Sequence, residues 1–197
     1  MSPNRIIYSG AVRRAGLIAA AIVLLALGLG ACGGGGGDAS GESPVALEKE
    51  HDAEILNQIL GRQRAAIDAY DRTLPGLDGA ALALATQFRA QEQEHTVALL
   101  QALRDLDGVE AVEDEQIESD ELRTEAARLR FLYEVESATI EDEVGAIGRL
   151  EFGSPRALLS AIVANQAQHL ALLRRQLGAK PLEWVPSAFE DGTTPAP

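Results

Sequence analysis

Phe88-Arg89-Ala90-Gln91-Glu92-Gln93-Glu94-His95 is the stretch on which the fold turns. It lies in a run whose stripe reads Ala81, Ala85, Phe88, Glu92, His95, Leu99, Leu103, Leu106. Steps of three and four residues mark one face of a helix, predicted here from about Ala80 to Leu106. Glu92 and His95 occupy positions on that face where apolar residues are expected. Their i, i+3 spacing points both side chains the same way. A buried carboxylate without a partner is costly, so facing groups must answer these two.

Working outward, three more segments carry such a stripe. A first helix opens at Ser43-Pro44, a capping residue followed by proline, and ends at Leu74 before Pro75-Gly76. Its face reads Leu56, Ile59/Leu60, Gln63, Ile67, Tyr70, Leu74. A third helix is expected to open at Ser119 and run to about Leu150, with Leu122, Ala126, Leu129, Leu132, Glu136, Ile140, Glu143/Val144 and Ile147 on its face. A fourth opens at Ser154-Pro155 and closes at Gly178, with Leu158/Leu159, Ile162, Gln166, His169, Leu173 and Leu177 inward. The fold class is therefore all-α, an antiparallel four-helix bundle over residues 45–178. Aromatic residues are only 4% of the chain, which suits helices better than a sheet sandwich. Short links make the first and second helices neighbours, and likewise the third and fourth. The link from the second to the third, about a dozen residues, leaves open whether the chain turns back at once or crosses the bundle's length.

Every helix thus places polar groups at mid-stripe: Gln63, Glu92 with His95, Glu136, and Gln166 with His169. Groups that share one level of a core satisfy each other or a common ion. This pattern resembles the ferritin-like di-iron carboxylate proteins, the rubrerythrins and bacterioferritins among them, in which Glu, Glu-x-x-His, Glu and Glu-x-x-His lie on four successive helices. The resemblance spans roughly Leu47 to Leu177. Glu92-Gln93-Glu94-His95 matches the first Glu-x-x-His, and Val135-Glu136 the third-helix carboxylate. Gln166-Ala167-Gln168-His169 matches the second motif with Gln in place of Glu, and Gln63 takes the first-helix position, again as an amide.

The resemblance implies a metal site, and the two amides make it degenerate. Glu92, His95, Glu136 and His169 offer ligands for one iron or other divalent ion. With equal weight, the same groups can pair with one another in a metal-free polar core. Gln balances no charge and is a poor iron ligand. The resemblance also implies supporting roles for Tyr70, against Glu136, and for Glu143, which internal pseudo-symmetry places beside Gln63. On pattern alone Glu143 borders the stripe, and an orientation toward solvent with Asp142 stays open. No catalytic residue is identified. Whether the chain is an enzyme, a metal-handling or redox protein, or a non-catalytic binding or envelope module is left open.

Ahead of the bundle, Met1–Arg14 holds three arginines and no acid, and Ala15–Leu29 is an unbroken apolar run. That run matches a signal-peptide core and is short for a membrane span. Leu29-Gly30-Ala31-Cys32 resembles the lipobox of bacterial lipoproteins. Residues 1–31 then form a cleaved leader, and Cys32, the single cysteine, becomes the acylated (palmitate-bearing) N-terminus. Arg13-Arg14 leaves Sec and twin-arginine export both open. Residues 32–44, with five consecutive glycines, read as a tether reaching about 20 Å. The expected location is the extracytoplasmic face of a cell membrane, with the membrane as partner through the lipid. A net charge of −13 argues against nucleic acid as a partner. His51 and the acidic loop from Val109 to Glu118 read as solvated, and residues 179–197 as a proline-containing extended tail.

Overall fold

The computed structural model describes residues 43–111, 117 and 122–183. The leader, Cys32, the tether as far as Glu42, most of the acidic loop and residues 184–197 of the tail lie outside the described residues. Among the described residues the chain is four long helices: α1 (Pro44–Thr73), α2 (Gly79–Asp105), α3 (Glu125–Ile147) and α4 (Gly153–Gln176). None of them is long and apolar enough to cross a membrane.

α1 begins as its sequence dictates. The Ser43 hydroxyl accepts a hydrogen bond from Ala46 N at 3.2 Å, and Pro44 fills the first turn, where no N–H is needed. α4 ends in a Schellman arrangement. Gly178 takes φ +85°, Ala179 N donates to Arg174 O and Gly178 N to Arg175 O. Immediately beyond, at the start of the tail read as extended, Pro181–Glu183 form a 3-10 turn. Arg174 Nη1 donates to Glu183 O and folds the chain back onto α4.

Two helix starts differ from the sequence reading. α3 opens at Thr124, whose hydroxyl accepts from Ala127 N at 3.1 Å, and not at Ser119, which lies outside the described residues. Ala126, expected inward, falls in this first turn and is exposed. α4 starts from Phe152, leaving Ser154 inside the first turn, where its side chain caps nothing. The turn before α4 is secured from elsewhere. Asp52 of α1, fully buried, accepts from Glu151 N at 2.8 Å and Phe152 N at 3.0 Å. Its charge also lies near the positive end of α4. His51, its neighbour, is exposed as read.

α1 packs on α2 and α3, and α4 packs on α3 and α2. α2 ends beside the start of α1, where Lys49 pairs with Asp107 at 2.6 Å. α3 begins at the opposite end, where Asp78 N donates to Glu125 Oε2. The α2–α3 link therefore crosses the bundle's length. It touches α1 on the way, at Asn57 through Val109 and Ala111, and at Arg72 through Ile117 O. Ile117 sits in a groove of Ala65, Ala66 and Ala69 with Phe131 and Val135. Small residues on α1 make that groove deep enough for the side chain.

The core has two apolar ends. Leu56, Ile59, Leu60, Leu99, Leu103, Ala146, Leu159 and Ile162 fill one. Tyr70, Ala85, Phe88, Leu129, Leu132 and Leu173 fill the other. The polar mid-stripe residues lie between them, shielded from water at both ends.

Candidate metal centre

Gln63, Glu92, Glu136, Gln166 and His169 are all buried, each at 1% exposure or less. His95 is half-buried. One network joins them across the four helices. His169 Nδ1 stands 3.1 Å from Glu136 Oε1 and 3.3 Å from Glu92 Oε1. His95 Nδ1 stands 3.2 Å from Glu92 Oε2, and Gln166 Nε2 donates to the same oxygen at 3.3 Å. Tyr70 Oη donates to Glu136 Oε1, and Gln63 Nε2 donates to Glu143 Oε1 at 2.7 Å. Glu143 is fully buried, which settles its orientation, whereas Val144 faces solvent.

Among the described residues, Glu92, Glu136 and His169 each offer one ligand atom lying within 4.8 Å of the other two. His95 stands outside that triad and joins it through Glu92. Two further residues shape the site that stripe reading passed over. Phe88 stacks on the His169 ring with centroids 3.9 Å apart. Gln91 Oε1 lies 2.8 Å from His169 Nε2. Phe88 is visible in the stripe, but as a core residue. Gln91 is off the stripe, one residue before Glu92, so a search at steps of three and four skips it.

The electrostatics follow from burial and from these contacts. Burial alone would discourage charge on His169, but its hydrogen bonds to Glu136 and Glu92 raise it to about 9. The imidazole is therefore a cation at neutral pH. Burial works against ionised Glu92 as well, yet bonds to His169 and His95 bring it below the usual carboxylate range. Glu136 moves upward, through burial and the nearby Glu92 charge. Glu143 is held well above the usual range by burial, with Gln63 pulling the other way. Tyr70, pushed well above its ordinary value by burial and by Glu136, remains a phenol.

The donor set at Glu92, Glu136 and His169 fits a cation. Glu92, Glu136 and His169 supply two carboxylates and an imidazole, a combination suited to a borderline divalent ion. Glu136 Oε2 is buried and accepts no hydrogen bond from the protein. Buried acceptors in that condition are costly unless a cation or proton meets them. The other half of the site is built differently. Gln63 and Gln166 direct N–H groups at Glu143 and Glu92, which leaves Glu143 the one carboxylate there. The buried site thus holds three carboxylates, one more than Glu92 and Glu136 alone; Glu143 Oε1 is engaged by an amide, whereas its Oε2, like Glu136 Oε2, accepts no hydrogen bond from the protein.

A four-helix bundle with a length-spanning crossover and a buried Glu/His cluster at mid-height defines the ferritin-like class. The family model described as a ferritin-like domain matches residues 49–179, and the chain belongs to that family. Among solved structures it is similar to "ferritin like, diiron-carboxylate proteins" from Bacillus anthracis str. Ames. The TM-score is 0.55 at 20% identity, over 69% of this chain and 99% of that one. At that identity the likeness speaks for the fold alone. No curated protein matches the chain.

Proposed function

We propose that this is a membrane-tethered, extracytoplasmic ferritin-like protein that binds a single divalent metal ion, iron foremost, and serves in metal handling or redox chemistry. The observation that carries the metal reading is the buried triad of Glu92, Glu136 and His169, with ligand atoms within 4.8 Å of one another. His95, bonded to Glu92, is a further donor beside the triad. Iron bound there would supply one-electron exchange between its ferrous and ferric states. The chain's own residues prepare the place. Tyr70 fixes Glu136 by its hydroxyl, Phe88 covers a face of His169, and the apolar ends exclude water. In the ion-free protein the proton on His169 Nδ1 neutralises part of the carboxylate charge.

That proton also favours a second reading. An imidazolium paired with Glu92 and Glu136 is a self-sufficient core, and the protein is then a metal-free helical module of the envelope. Anaerobic calorimetric titration with ferrous iron separates the two. The metal reading expects one ion per chain, lost in Glu136→Gln; no binding by the wild type selects the metal-free reading. The tether rests on Leu29-Gly30-Ala31-Cys32 behind an apolar leader. Cys32→Ala is expected to leave an uncleaved precursor or release the protein from the membrane fraction. A variant still cleaved and acyl-labelled contradicts the tether.

A further inference from the structure

The seam between α1 and α3 changes character along its length. At one level Ile59 of α1 and Ala146 of α3 share an apolar cluster. At another, Ala65, Ala66 and Ala69 cluster with Phe131 and Val135. Between these levels the seam is polar through two layers. In the outer layer Arg62 Nε stands 2.9 Å from Asp142 Oδ2, with the two side chains 23% and 37% exposed. In the inner layer the next residue on each helix, Gln63 and Glu143, join in a fully buried hydrogen bond. The polar file does not stop there. Gln166 of α4 reaches Glu143 as well, and donates to Glu92 Oε2 in the triad. Two helices pack more cheaply through apolar contacts, so a polar crossing from surface to centre calls for a use.

Its chemistry has one sign. Among the described residues, every buried side-chain atom without a hydrogen-bond partner is an oxygen, and Gln63 Oε1, Glu143 Oε2 and Gln166 Oε1 are among them. Oxygen lone pairs that face no N–H or O–H suit a cation and repel an anion. Two of these three atoms are amide oxygens, which can replace part of an ion's water shell but balance none of its charge. A cation meets ligands there without being kept. We propose that this crossing is the entry route of the divalent ion. Asp142 draws the ion to the mouth, Arg62 closes the mouth by pairing with Asp142, and the oxygens of Glu143, Gln63 and Gln166 pass the ion to Glu92. The route rests on the one-ion reading given above, and adds no second resident ion to it.

Stopped-flow uptake of cobalt(II) by the full-length chain in detergent micelles, with release followed into excess chelator, tests the route. A residue on the path changes entry and exit together and leaves the affinity alone. Asp142→Asn leaves the Arg62 guanidinium at the mouth. It should slow entry and exit by about tenfold each, with the dissociation constant within about twofold of wild type. Arg62→Gln leaves the Asp142 carboxylate without that guanidinium and should speed both. An ion pair with a purely structural role predicts the same direction for the two variants, because either one breaks the pair. The Arg89–Asp71 pair, which joins α2 to α1, is the control. Arg89→Gln and Asp71→Asn should leave both rates within about twofold of wild type. Opposite shifts at Arg62 and Asp142 alone support the route. Shifts in one direction, no shift, or equal shifts at both pairs overturn it while the one-ion reading stands. No uptake of cobalt by the wild type overturns that reading and the route with it.

Discussion

A carboxylate buried beside an amide is a different object from two carboxylates side by side, and Gln63 and Glu143 show why. Gln63 donates to Glu143 Oε1 in a fully buried setting. Placing Glu at position 63 puts two acids in contact, and one must hold a proton for the pair to survive. Gln63→Glu should therefore cost at least about 2 kcal/mol at neutral pH in the absence of metal, and adding Glu143→Gln should restore it. Denaturant unfolding checks this, and a single variant as stable as wild type contradicts it. The pH dependence has a definite sign. His169 binds its proton more tightly folded, at about 9 against 6.5, so its contribution is complete below 6.5 and lost as pH rises through about 9. Glu143, also raised, adds a loss that sets in as pH rises above 4.5. The melting temperature of the ion-free protein should fall on the alkaline side, and Glu143→Gln should flatten that fall. At this scale the sequence told much. Glu92, Glu136, Gln63, Gln166 and His169 sat on stripes and meet in the core. Glu143 bordered its stripe, where a rotation of a few tens of degrees separates core from solvent. Gln91 had no periodic mark at all, because its role depends on reaching round the helix to a ring on α4.

Helix ends are secured by whatever acceptor is closest in space, and only some of those are close in sequence. Ser43 and Thr124 cap their own helices, whereas the turn into α4 depends on Asp52, about a hundred residues earlier. Asp52→Ala removes two charge-assisted hydrogen bonds and strands two partly buried N–H groups. A loss of about 1–3 kcal/mol is expected. Ser154→Ala should change stability by less than about 0.5 kcal/mol, since its side chain caps no N–H. Paired thermal melts compare the two, and equal effects would contradict the assignment of the cap. The same distinction explains what was legible. Helix bodies follow from local periodicity, and the close of α4 at Gly178 follows from a residue suited to positive φ. The Ser-Pro pair at 154–155 imitates the start of α1, but it lies two residues too far in. The decisive acceptor is non-local, so no window around residue 154 contains the information.

At the scale of the molecule, the path between α2 and α3 decides which helices are neighbours. A dozen residues allow either a tight return or a crossover, so length alone left the topology open. Contacts at Lys49, Asn57 and Arg72 show the link travelling along α1, and Ile117 anchors it among small alanines. That path makes every packed pair of helices antiparallel and brings all four mid-helix polar groups to one level between two apolar ends. A bundle so arranged concentrates its buried charge in one place, and three carboxylates there face an imidazolium and two amides. In the function proposed above, this arrangement accepts one divalent ion, at the half where Glu92, Glu136 and His169 converge, while the half held by Gln63, Gln166 and Glu143 accepts none. Anomalous diffraction at the iron edge, from crystals grown anaerobically with excess ferrous iron, tests that claim most directly. The predicted result is one peak per chain, in contact with Glu92, Glu136 and His169. Two peaks at mid-bundle, or none, would contradict it.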